Sequence, residues 1–205
     1  MQSAEVKCRL AWGAVMRLRT FVGYLVVAVH LTSGSQGATV PSGWQTYFDP
    51  KLRASISYPP GWKLNRDYVS VSLGPDHTIK GIAVIIPDIL ARGTNLASDF
   101  TEVAVESIPG ANCTPLQFLN PAEAIHKLKA DGRVYSAASS SDSGAGENYD
   151  TFLFVVDGTS PCIAVRYFIH YSNVENFDPG TVKAFDRSKL LKLFDDVRAT
   201  LKLSP

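Results

Sequence analysis

Between Leu52 and Tyr58 apolar and polar positions alternate, with Leu52, Ala54, Ile56 and Tyr58 on one side and Arg53, Ser55 and Ser57 on the other. A period of two predicts a strand wet on one face. Pro59-Pro60-Gly61 stops it, because proline cannot donate to a ladder, and Trp62 stands ready to cover the core edge. Before this strand, Trp44 to Pro50 reads as an aromatic lead-in. After it the alternation returns at Tyr68 to Leu73, and Ile79 to Ile86 is almost wholly apolar, as in a strand covered on both faces.

Asp88 to Ser98 reads as a loop with turn chemistry at Gly93 and Asn95. Phe100 to Ile108 fits either a helix or a strand; its β-branched residues and the closing Pro109-Gly110 favour a strand, with Glu102 and Glu106 on its wet face. Thr114-Pro115 predicts the start of a short helix running to Leu119. Ala124 to Ala138 reads as a hairpin, with Asp131-Gly132 as a two-residue turn signal between 125–129 and 134–137. Ser139 to Asn148 is small and polar, and reads as an exposed loop. Tyr149 to Val156 and Cys162 to Tyr171 are two further strands, the second so β-prone that it belongs at the sheet centre.

The chain closes on a helix capped by Asp186 or Ser188. Leu190, Phe194, Val197 and Leu201 form its apolar stripe, widened by Leu191 and Leu193, while Lys189, Lys192, Asp195, Asp196 and Arg198 face water. Strands first and a helix last predict an α+β domain: a mainly antiparallel β-sheet with the C-terminal amphipathic helix on one face and a short helix after Cys113.

Charge and cysteine content refine this. At 205 residues and 45% hydrophobic content, one core is expected. Residues 1–37 hold Lys7, Arg9, Arg17 and Arg19 against Glu5; removing these from 20 basic and 19 acidic residues leaves 16 and 18. That balance speaks against nucleic acid as a partner. Met16 to Thr20 is a cationic head, Phe21 to Leu31 an apolar run, and Thr32 to Ala38 a stretch rich in small residues, the order of a secretory signal peptide. The expectation is a signal over 1–37, with Met16 as a possible true start, and a single domain over 38–205. The apolar run is short for a membrane span, so no stable insertion is expected after cleavage, and the protein should be exported, periplasmic or extracellular. Cys113 and Cys162 then remain as one pair in an oxidising compartment and are expected to form a disulfide.

No catalytic, cofactor or metal motif emerges. His77, His126 and His170 are scattered, and no Gly-x-Ser-x-Gly elbow accompanies the serines. His170 and Tyr171 are candidate surface residues, and Glu102, Glu106 and Asp99 read as surface carboxylates.

Three resemblances add expectations. Tyr47-Phe48-Asp49, the run Tyr58-Pro59-Pro60-Gly61-Trp62 and the closing helix resemble PsbP-like domains and related small exported bacterial proteins. That likeness implies antiparallel sheets flanked by helices and an accessory or assembly role without catalysis. Pro161 to Tyr171 with Phe185-Asp186-Arg187 also resembles uncharacterised secreted bacterial proteins, which imply no activity. Ser143-Gly144-Ala145-Gly146-Glu147-Asn148-Tyr149 is similar to the Ser-Gly-Ser-Gly-x-x-Tyr motif of periplasmic C-type lysozyme inhibitors, with Ala145 replacing a serine hydroxyl. The candidate binding loop is therefore Ser143, Gly144, Gly146 and Tyr149.

Three functions follow in order: a non-catalytic accessory or binding protein of the bacterial envelope with a protein partner and no cofactor; a lysozyme inhibitor; and a hydrolase whose site the sequence does not reveal.

Overall fold

The computed structural model describes residues 39–204, and the expected signal peptide and Cys8 lie outside them. Among the described residues ten strands form two antiparallel sheets. The smaller contains β1 (Gln45–Asp49), β2 (Ala54–Tyr58) and β10 (Lys202–Leu203), with β2 in the middle. The larger contains β3 (Lys63–Ser70), β4 (Ile79–Ile85), β5 (Glu102–Ile108), β6 (Glu123–Ala130), β7 (Arg133–Gly144), β8 (Glu147–Val156) and β9 (Cys162–Ser172). Its order, β3-β4-β5-β9-β8-β7-β6, puts β9 in the centre as expected.

Two helices complete the fold. One turn, α1 (Asp88–Ala91), interrupts the predicted loop, and α2 (Arg187–Ala199) closes the domain. The Asp186 carboxylate accepts the Lys189 N–H, so Asp186 is the cap. The apolar stripe of α2 packs with β2 and one face of the large sheet. Leu190, Phe194, Val197 and Leu201 meet Ala54, Ile56 and Tyr58 together with Val84, Val105, Val165 and Tyr167 in one core. Trp62 packs edge-on against Phe194 at 5.8 Å between ring centroids, which makes it the core lid the sequence suggested. Cys113 and Cys162 are joined by a disulfide, tying the segment after β5 to the start of the central strand.

Several local expectations are corrected. The opening strand begins at Ala54, because Arg53 sits at φ +50 and turns the chain; Ser57 on its supposed wet side is buried under Thr200, whose hydroxyl accepts the Ser57 N–H. The aromatic lead-in is β1, recruited by pairing with β2. The strand placed at 68–73 runs from Lys63 to Ser70, starting directly after the Trp62 lid. The short helix after Cys113 is a 3-10 turn over Pro115–Gln117. Arg198, expected in water, is buried: its guanidinium lies 4.4 Å from the Phe154 ring centroid, and its Nε donates to the Tyr167 hydroxyl at 2.9 Å.

The largest correction concerns Ser139 to Asn148. It is a hairpin in full register, with Ser139 opposite Phe152 and Gly144 opposite Glu147. Only Ala145 and Gly146 turn the chain, both at positive φ (+53 and +85). A two-residue turn of this kind matches the twist of its flanking strands, and strand pairing overrides the weak β-propensity of serine and glycine.

Candidate functional site

Strand alternation puts Glu102, Ala104 and Glu106 of β5, Arg166, Phe168 and His170 of β9, and Tyr149 and Thr151 of β8 on the sheet face away from α2. That face has two zones. Near the disulfide end Phe118 and Leu119 cover it. There Arg166 donates from Nε to Glu106 Oε1 (2.6 Å) and from Nη2 to Glu106 Oε2 (3.0 Å), with both side chains essentially inaccessible. Nη2 also reaches the Phe118 carbonyl at 2.7 Å, and the Tyr68 hydroxyl donates to Glu106 at 2.9 Å. Glu102 and Glu106 are therefore buried rather than the wet face of β5. Burial, helped by the neighbouring Glu106 charge, pushes the Glu102 carboxyl up to about 7, and burial likewise raises the Tyr68 phenol.

At the other end the face is half-open. Tyr149 stacks on His170 (centroids 4.7 Å, planes 15° apart) and on Phe168 (6.0 Å, 23°), so the three rings form a row with Tyr149 in the middle. His170 Nε2 lies 3.0 Å from Glu147 Oε2. Its Nδ1 is 3.7 Å from Asp99 Oδ1, beyond hydrogen-bond reach, and has no bonding partner among the described residues. The next residue, Phe100, is strongly exposed at φ +63, a strained conformation for a bulky side chain. Thr101 holds this corner in place: its hydroxyl accepts the His170 N–H at 3.0 Å.

The chemistry available is a histidine between two carboxylates. A nucleophilic relay would need a hydroxyl on the histidine. Ser172 instead donates to both Glu147 oxygens, at 3.0 and 2.9 Å. No cluster of metal-ligating side chains occurs among the described residues.

The predicted site residues are thus distributed over different surroundings. Ser143 and Gly144 end β7 on an exposed edge, and Gly146 turns the tip. The tip is tied down. Gly146 O accepts from Asn173 N (2.8 Å) and from Asn176 Nδ2 (3.0 Å), and Asn148 Nδ2 reaches Asn173 Oδ1 (2.8 Å). Tyr149 belongs to the ring row rather than to the tip. Tyr171, being next to His170 in a strand, points to the opposite face and packs on Phe185 at 5.2 Å, so these two candidates do not share a surface.

Glu147, Asp99, Phe168 and the Glu106–Arg166 pair were missed as site residues. One signal was available: Arg166 interrupts the apolar run Ile163 to Ile169, and a cation there requires a buried carboxylate.

No family model matches this chain, and neither does any curated protein. Among solved structures it is similar to a protein of Bacteroides thetaiotaomicron, with 15% identity and a TM-score of 0.46 over 80% of this chain and 49% of that one. The chain spans about half the length of that protein. It is also similar to cyanobacterial PsbP (CyanoP) of Synechocystis, with 16% identity and a TM-score of 0.41 over 84% of this chain and 99% of that one.

Proposed function

We propose that this protein is an exported, non-catalytic accessory protein of the bacterial envelope that grips a protein partner with the β7–β8 hairpin tip. The observation that carries the reading is the pinned tip itself: exposed residues 141–145 on a two-residue turn, held by Asn148, Asn173 and Asn176. A projection ordered before contact loses little conformational entropy on binding. The disulfide is compatible with an oxidising compartment. Among the described residues no helix is long and apolar enough to cross a membrane. The non-catalytic part of the proposal rests on Ser172 being bonded to Glu147 and not to His170.

Photo-crosslinking from position 143 in intact cells tests this reading. A discrete adduct from position 143, absent when the crosslinker sits at exposed Lys202, supports it; identical adducts from both positions overturn it. The lysozyme-inhibitor reading has one supporting observation, the exposed Ser143 side chain beside a tight tip. Slowing of C-type lysozyme by the wild type, lost in Ser143→Arg, would establish it, and absence of inhibition would end it.

A further inference from the structure

A second surface feature is lined by residues of α1, the segment after it and the start of α2. Between the α1 turn and the start of α2 runs a groove of about 310 Å3 whose apolar lining is Leu90, Leu96, Phe185, Leu190 and Leu193. That volume is at the small end of ligand pockets, which run from about 300 to 1,000 Å3. Its wall is held from behind by Asn95, a buried side chain whose Oδ1 accepts the N–H of the lining residue Phe185 (2.9 Å) and whose Nδ2 donates to the Ser172 carbonyl (2.6 Å). The backbone of the same asparagine takes hold of Lys183, whose carbonyl accepts the Asn95 N–H at 3.0 Å, and the Lys183 N–H in turn reaches Gly93 O at 3.2 Å. The groove is therefore a clamped part of the fold.

Charge decides what fits it. Lys183 and Lys189 stand at the groove, and neither ammonium pairs with a carboxylate among the described residues. Asp186 also lines it, but its Oδ1 is engaged by the Lys189 N–H and the Ser188 hydroxyl at the helix cap. An apolar floor with a net cationic mouth complements a molecule with one apolar chain and one anionic head. We propose that this groove binds a free fatty acid, its chain over Leu96 and Leu193 and its carboxylate between Lys183 and Lys189. The narrow volume admits one acyl chain and disfavours a two-chain lipid.

The test uses the full-length protein and three probes with one tail, kept below their aggregation concentrations: dodecanoate, dodecanol and dodecyltrimethylammonium, titrated by calorimetry. Dodecanoate should bind at least about tenfold more tightly than dodecyltrimethylammonium. Lys183→Glu combined with Lys189→Glu should reverse that order, and Leu193→Gln should weaken dodecanoate by about tenfold or more. Leu90→Gln, at an exposed position, repeats the apolar test if the Leu193 variant does not fold. No binding of dodecanoate, equal binding of the three heads, or a dodecanoate affinity untouched by the charge reversal or by both apolar variants overturns the assignment.

Discussion

Glu106 and Arg166 face each other across β5 and β9 in a two-pronged ion pair, 2.6 and 3.0 Å long, that solvent does not reach. Breaking such a pair from one side leaves an uncompensated buried charge, at a cost of about 3–5 kcal/mol. Glu106→Ala should lower stability by that amount in urea unfolding, and Glu106→Leu with Arg166→Met should recover most of it. A double variant no more stable than the single one would show that the pair supplies more than mutual neutralisation.

Glu102 makes stability depend on pH near neutrality. Its carboxyl ordinarily titrates at 4.5 and in the folded protein at about 7, through burial first and the Glu106 charge second, with Arg166 opposing. The folded state thus holds this proton more tightly than the unfolded chain. The contribution, about 3 kcal/mol in full, is present below pH 4.5 and is lost as pH rises through 7. Glu102→Gln should flatten the stability profile over this window and stabilise the protein above pH 7. A variant profile parallel to the wild type would refute the assignment to Glu102.

The disulfide closes a span of 49 residues. In the chain-entropy account a loop of that length contributes about 4 kcal/mol by restricting the unfolded chain. Cys113→Ser with Cys162→Ser should therefore lower the unfolding midpoint, and the wild type under reducing conditions should match it. Mass spectrometry of the protein without reductant should find the linked Cys113 and Cys162 peptides.

A side chain at Gly146 would displace the Asn176 amide. The φ of Gly146 is +85, and an added Cβ would lie 2.3 Å from Asn176 Nδ2. Gly146→Ala should release the 173–177 segment and speed amide exchange at Asn173 and Asn176, with little change at the disulfide end of the sheet. Unchanged exchange would mean that the tip is not held by these contacts.

Most of the fold was legible because local period and burial agree: the alternation in β2, the apolar run of β4, the stripe of α2 and the central β9 all follow side-chain pattern. The hairpin at 139–148 was illegible because its order comes from pairing with β8, whereas serine and glycine carry little strand preference of their own. Glu106 and Arg198 were misplaced for one shared reason. A charge on an alternating strand or helix reads as solvent-facing until its partner is known. Those partners, Arg166 and the Tyr167 hydroxyl, lie 60 and 31 residues away. The ring row Phe168-Tyr149-His170 likewise needs the register of β8 on β9, which no single segment contains.

The two outer strands of the large sheet, β3 and β6, each break register once, between Asn65 and Tyr68 and between Glu123 and His126. Exposed charges on these strands include Arg66 and Asp67 at the break in β3 and Lys127 and Lys129 just beyond the break in β6. Neither border offers a long, flat, uncharged row of free backbone groups to template another chain. The seven-stranded sheet thus ends on both sides in a margin guarded against fibril-like stacking.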